Sequence, residues 1–128
     1  MSKNILVVED DTNLRNILSE SLKREGYKVS EAKNGEEGLA LALSKRPELI
    51  LLDIVLPSMD GVSVLGQIRE DESWGKNVKV IMLTNLNDSQ SVAACMELGV
   101  HNFLVKADWT IEDIMETIKD ELKSARAK

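Results

Sequence analysis

The sequence is poorest in the residues that staple a chain, thread it through a membrane or dock it on nucleic acid. It has one cysteine, Cys95, in 128 residues, so no internal disulfide can form. A lone cysteine in a helical stretch is expected to fill the core as a small apolar group rather than to work as a redox centre. No apolar run approaches the roughly 20 residues that a membrane span needs. Met1-Ser2-Lys3-Asn4 passes straight into a strand signal, without the apolar stretch or small-residue cleavage site of a signal peptide. These absences lead to the expectation of a soluble, cytoplasmic protein with no membrane contact. Basic charge is also short: 16 Lys and Arg stand against 22 Asp and Glu, a net charge of −6. Phosphate backbones reward clustered Lys and Arg, so direct nucleic-acid binding is disfavoured. His101 is the only histidine; it is too isolated for a zinc site and reads as a turn residue. Glycine-rich phosphate cradles are missing too, since neither G-x-x-x-x-G-K-[ST] nor a G-x-G-x-x-G after the first strand occurs.

What remains is ordinary in bulk and regular in pattern. The apolar fraction is 43% and the charged fraction 30%, and the length suits one domain over 1–128 with a core of its own. Short apolar runs alternate with longer helical periods. The runs are 5–8, 28–31, 49–52, 78–83 and 102–105. Those at 5–8 and 49–52 are apolar at every position, the mark of strands buried on both faces of a parallel sheet. The run at 28–31 alternates, which predicts an edge strand. Helices are predicted at 12–25, stopped by Gly26, at 36–45 before Pro47, and at about 62–71. Two more are predicted at about 88–98, closed by Gly99, and at about 111–126. Asp11 or Thr12 is the expected N-cap of the first, and Thr110 with Asp113 makes a capping box for the last. Five β/α units in line predict a doubly wound α/β fold.

Ligands of such sheets sit beyond the carboxyl ends of the strands. The first strand runs into Glu9-Asp10-Asp11, the third into Asp53, the fourth into Thr84 and the fifth into Lys106. Each alone has a bland explanation as a cap, a turn residue or a polar strand end. Together they bring Glu9, Asp10 and Asp53 to one rim with a hydroxyl and an ammonium. Clustered carboxylates repel one another, and an all-oxygen set favours a hard cation, Mg²⁺ before Ca²⁺, with Mn²⁺ as a substitute. Such an ion lets a carboxylate attack an anionic phosphoryl donor, with Thr84 and Lys106 of the right type to hold the phosphoryl oxygens.

The segments Ile5-Leu6-Val7-Val8-Glu9-Asp10-Asp11, Leu51-Leu52-Asp53-Ile54-Val55-Leu56-Pro57-Ser58-Met59-Asp60-Gly61, Ile81-Met82-Leu83-Thr84 and Phe103-Leu104-Val105-Lys106 resemble the receiver domains of two-component response regulators. The likeness covers essentially the whole chain in order and spacing. It implies a flavodoxin-like three-layer (βα)5 sandwich with a parallel sheet in the order 2-1-3-4-5. It also implies Asp53 as phosphoacceptor, Asp10 as a direct Mg²⁺ ligand, Glu9 acting on the metal through water, and the Val55 carbonyl as a further ligand. Thr84 and Lys106 would bind the phosphoryl group, and Thr84 and Phe103 would form the switch. The implied donor is a histidine kinase or phosphotransfer protein. The implied output is a downstream protein that reads the face of the fourth helix, fifth strand and fifth helix. Beyond catalysing its own phosphorylation and dephosphorylation, the domain would not be an enzyme.

Three positions depart from the family pattern. Ala107 follows the lysine where proline is usual, and a cis bond without proline costs about 2.5–4 kcal/mol, so that loop is open to a trans, differently shaped path. Asn85 stands where a small residue is common; crowding of the site and a hydrogen bond to the phosphoryl group are both open. Phe103 has no hydroxyl to donate and reads equally as a core aromatic. Trp74 and Trp109 are expected to be half-buried or exposed packing residues, Trp109 beside the site loop. Two other functions compete: a pseudo-receiver scaffold without phosphoryl turnover, and an aspartate-nucleophile phosphatase. Val55 disfavours the second, because it stands where such enzymes carry another acid. The chain could be a stand-alone regulator or a segment of a longer one.

Overall fold

The computed structural model describes residues 3–84, 89–106 and 108–123. Strands β1 (Asn4–Val8), β2 (Lys28–Ala32), β3 (Leu49–Asp53), β4 (Lys79–Thr84) and β5 (Asn102–Val105) alternate with helices α1 (Thr12–Arg24), α2 (Gly35–Lys45), α3 (Gly61–Arg69), α4 (Ser89–Glu97) and α5 (Ile111–Lys123). All strand pairs are parallel and the order is β2-β1-β3-β4-β5, as the resemblance implies. β2, the run with the weakest apolar signal, is an edge.

Side-chain alternation along the strands splits the core into two layers. Leu6, Val8, Ile50, Leu52, Val80 and Met82 face one way and pack with Ala42 of α2, Val64, Leu65 and Ile68 of α3, and Cys95 of α4. Ile5, Val7, Leu49, Leu51, Ile81 and Leu83 face the other way, onto Leu18 and Leu22 of α1 and Ile114 and Ile118 of α5. Two buried faces explain why β1 and β3 are apolar without a break. Cys95 is fully buried in the first layer, in the filler role expected of it. His101 is exposed ahead of β5.

Element ends follow local chemistry. The Asp11 side chain caps α1 through the Leu14 N–H, and α1 closes on Gly26 at φ +95°, a left-handed turn open to glycine at little steric cost. Thr110 and Asp113 exchange side-chain and backbone hydrogen bonds at the head of α5. Several boundaries shift by a residue from the sequence reading, and three of the differences have a visible cause or consequence. α3 stops at Arg69 instead of Asp71 because the Asp71 carboxylate captures the N–H groups of Ser73 and Trp74 and starts a new turn. Those bonds hold its carboxyl at about 2, below the usual carboxylate range. β4 runs one residue later than expected, Lys79–Thr84, with the Val78 carbonyl given to Arg69. β3 includes Asp53, paired in register with Leu83. Position 88 of the fourth predicted helix and 124–126 of the last lie outside the described residues.

Trp74 is half-buried and donates its indole N–H to the Pro47 carbonyl at 2.8 Å. Arg69 binds two further segments. Its guanidinium donates to the carbonyls of Leu98, Gly75 and Val78 at 2.7–2.8 Å, tying the end of α3 to the end of α4 and the approach to β4.

Candidate functional site

Strands β1, β3, β4 and β5 end at one rim, and the residues predicted there meet. Asp53 closes β3 and is 2% exposed, while Glu9, just beyond β1, is fully buried. Asp10 is exposed. Carboxylate oxygens of Glu9, Asp10 and Asp53 all lie within 4.8 Å of one another. Lys106 reaches across from the end of β5, its ammonium 2.5 Å from Asp53 Oδ2 and 3.2 Å from Glu9 Oε1. Thr84, 4% exposed, closes β4, and its carbonyl accepts the Lys106 N–H at 2.9 Å. The two groups suited to phosphoryl oxygens therefore share a backbone bond.

One ammonium faces three carboxylates, and the electrostatics reflect it. Burial pushes the Glu9 carboxyl up to about 7; the Asp11 N–H and Lys106 pull it down, and the Asp53 charge pushes it up. Lys106 shows the complementary response. Burial alone would lower it, but the hydrogen bond and charge of Asp53, joined by Glu9, carry it above the ordinary lysine value. Glu9 Oε2 accepts from the Asp11 N–H at 3.1 Å. Glu9 Oε1 is buried and accepts no hydrogen bond, so Lys106 supplies it with charge alone. A buried carboxylate oxygen held by charge alone inside a three-acid cluster is the environment a hard cation satisfies.

The segment after β3 is fixed from both sides. The Val55 N–H donates to Asp53 Oδ1 at 3.2 Å, and Val55 is 60% exposed. The Pro57 carbonyl accepts the Gly35 N–H and Ser58 Oγ accepts the Glu36 N–H, so this loop caps the start of α2. Ser58 holds φ +68° there, offsetting the strain of a left-handed residue with that hydrogen bond. Gly61 passes so close beneath Asp53 that an added Cβ would sit 2.2 Å from the Asp53 carbonyl oxygen. These loop contacts were not foreseen from the sequence; the Pro57, Gly35 and Gly61 positions were its only signals.

Phe103 is half-buried on β5, packed against the layer that holds α3 and α4, one strand position from Leu104 on the opposite face. Trp109 is half-buried in the α1/α5 layer, its indole nitrogen buried without a partner. Asn85 and Ala107 lie outside the described residues.

Comparison with known proteins agrees with this geometry. The response regulator receiver domain family matches residues 5–119. Sporulation initiation phosphotransferase F of Bacillus subtilis is 31% identical over 122 residues, 95% of each chain. Transcriptional regulatory protein AfsQ1 of Streptomyces coelicolor is 39% identical over 102 residues, 80% of this chain and 44% of that protein. The chain thus spans less than half the length of that relative. Among solved structures, a CheY-like response regulator receiver domain protein from Methanospirillum hungatei superposes with a TM-score of 0.88 at 30% identity, covering 96% of this chain and 95% of that one. Chemotaxis response regulator CheY4 of Vibrio cholerae gives 0.85 at 27% identity, with 94% and 99% covered. With the sheet order, the acidic rim and the match all in agreement, this chain belongs to the receiver-domain family of two-component response regulators.

Proposed function

We propose that this receiver domain is a phosphorylation-controlled switch in which Asp53 is the phosphoacceptor. The observation that carries the reading is the buried Asp53 carboxylate held 2.5 Å from the Lys106 ammonium within a cluster completed by Glu9 and Asp10. Asp10 and Asp53, with the Val55 carbonyl, are the proposed Mg²⁺ ligands, Glu9 acting through water and Mn²⁺ serving as a substitute. Held by these acids, the ion would offset their charge and supply Lewis-acid stabilisation to the transferring phosphoryl group. An Asp53 oxygen forms the new P–O bond as the P–N bond of a phosphohistidine breaks, the imidazole nitrogen keeping the electron pair. Lys106 and the Thr84 hydroxyl take the phosphoryl oxygens by charge-assisted and neutral hydrogen bonds. Water later cleaves the acyl phosphate, restoring Asp53 and releasing phosphate. The turnover is of the domain's own modification, with no separate substrate.

The donor is a histidine kinase or phosphotransfer protein and the output a protein contact. Thr84 moves toward the phosphoryl group, Phe103 follows, and the face of α4, β5 and α5 shifts between two pre-existing states. No described helix is long and apolar enough to cross a membrane, and the net charge of −6 disfavours direct nucleic-acid contact; we place the domain in the cytoplasm. The test is intact mass after incubation with Mg²⁺ and acetyl phosphate or phosphoramidate. One added phosphoryl group is expected, and none in Asp53→Asn. No gain across several donors overturns the switch in favour of an interaction scaffold.

A further inference from the structure

Glu9 and Asp10 are consecutive, and in an extended strand consecutive side chains point to opposite faces. Here both carboxylates face Asp53, so the chain must turn at these two residues, against the mutual repulsion of the acids they carry. The turn begins where β1 stops pairing, at the Glu9 N–H bond to the Ala32 carbonyl. It ends at Asp11, whose side chain caps α1. Between those points the Glu9–Asp10 peptide has one further hold. Arg15, in the first turns of α1, donates from its guanidinium to the Glu9 carbonyl at 2.8 Å. The same guanidinium lies 3.4 Å from Glu31 on β2, with the Arg15 side chain 14% exposed and that of Glu31 34%. A planar guanidinium can serve both partners in fixed geometry, which an ammonium cannot do.

We propose that Arg15 is a positioning residue for the acidic pair: clamped by Glu31, it holds the Glu9 carbonyl and so sets the orientation in which Glu9 and Asp10 present their carboxylates to the cation. The inference rests on the proposed Mg²⁺ site. It predicts a sign that distinguishes it from simple electrostatics. A guanidinium acting only through its charge repels Mg²⁺, so its removal would tighten binding. A guanidinium that orients the acids strengthens binding, so its removal weakens it. Outer contacts of this kind are generally worth about 10–100-fold in metal affinity.

The test is Mg²⁺ titration by calorimetry, with indole fluorescence in parallel, on the wild type, Arg15→Met, Arg15→Lys and Glu31→Gln. Thermal midpoints in EDTA are recorded beside it. Arg15→Met is expected to raise the Mg²⁺ Kd about tenfold. Arg15→Lys, with the charge kept, is expected to bind clearly less tightly than wild type, and Glu31→Gln about twofold to threefold less tightly. Phosphorylation from acetyl phosphate should return to near the wild-type rate at saturating Mg²⁺, the split expected of a residue that orients the site without touching the reacting atoms. Unchanged or tighter Mg²⁺ binding in Arg15→Met overturns the proposal, even if its midpoint falls. If Arg15→Met shows no cooperative unfolding, Glu31→Gln decides by the same criterion. Absence of Mg²⁺ binding in the wild type overturns the metal reading itself, and this one with it.

Discussion

Lys106 is the only cation ion-paired with the Glu9 and Asp53 carboxylates among the described residues, so Lys106→Met probes how the site is kept neutral. Methionine preserves much of the stem and removes the charge. Taking one partner from a fully buried ion pair costs about 3–5 kcal/mol; the Lys106 side chain is 27% exposed, which screens the pair and brings the expectation to about 2 kcal/mol. The loss must depend on pH. The Glu9 carboxyl is raised from 4.5 to about 7 in the folded protein. A raised folded value means that Glu9 contributes its full stability below about 4.5 and loses it as pH climbs through 7. Removing the ammonium raises Glu9 further. At pH 5.5 Glu9 is mostly neutral with or without Lys106, whereas at pH 8 the variant must bury its charge unpaired or hold a proton against the solvent. Thermal unfolding in EDTA should show the variant about 8 °C below wild type at pH 8 and less than half that at pH 5.5. Mg²⁺ should then restore more stability to the variant than to the wild type at pH 8, since three acids without an ammonium attract it more strongly. Equal losses at both pH values, or equal Mg²⁺ stabilisation of both proteins, would refute the charge-balance argument.

Two further predictions concern the scaffold that aims the site. Arg69→Ala strands three carbonyls on two segments, the end of α4 and the approach to β4. Urea denaturation should show a loss of about 3 kcal/mol, largely kept in Arg69→Lys because an ammonium cannot reproduce the fork; a loss under about 1 kcal/mol would sink this view of the hub. Gly61→Ala places a methyl 2.2 Å from the Asp53 carbonyl oxygen and 2.8 Å from the Ile54 Cα, so backbone must move. It should cost about 2 kcal/mol and slow acetyl-phosphate phosphorylation at Asp53 about 10–100-fold; wild-type kinetics would show that the loop absorbs the change without disturbing the nucleophile.

The fold was legible because its strongest signals are local. β1 and β3 contain little but apolar residues since both of their faces are covered, and the edge β2 carries a weaker signal since it lies at the sheet margin, where α1 and α2 bury it only in part. The strand ends were legible for a related reason: a parallel sheet sends its carboxyl ends to one rim, so Glu9, Asp10, Asp53, Thr84 and Lys106 could be placed together before any distance was known. What escaped was contact between segments distant in sequence or chemistry competing with a period. The apolar period runs past Arg69, but the Asp71 carboxylate takes the N–H groups that would have continued α3. Nothing in the pattern of α1 marks Arg15 as more than a solvated cation, because its partners, the Glu9 carbonyl and Glu31, are set by how α1 lies over β1 and β2.

Those longer contacts bear on how a charge at Asp53 could be felt elsewhere. The Lys106 N–H bonds the Thr84 carbonyl, so the proposed phosphoryl ligands on β4 and β5 are not independent: a displacement of Lys106 toward a new phosphoryl oxygen pulls on the end of β4. Phe103, on β5 three residues before Lys106, packs into the layer that contains α3 and α4. The end of α4 is held by Arg69 through the Leu98 carbonyl. Motion at the rim is thus free to repack Phe103 and the exposed surface near it, while the far end of α4 stays tethered to α3. A hinge needs one fixed end. By this argument Arg69 would supply it in the proposed switch, fixing the Leu98 end of α4 and leaving the rim end of the helix as the one to move.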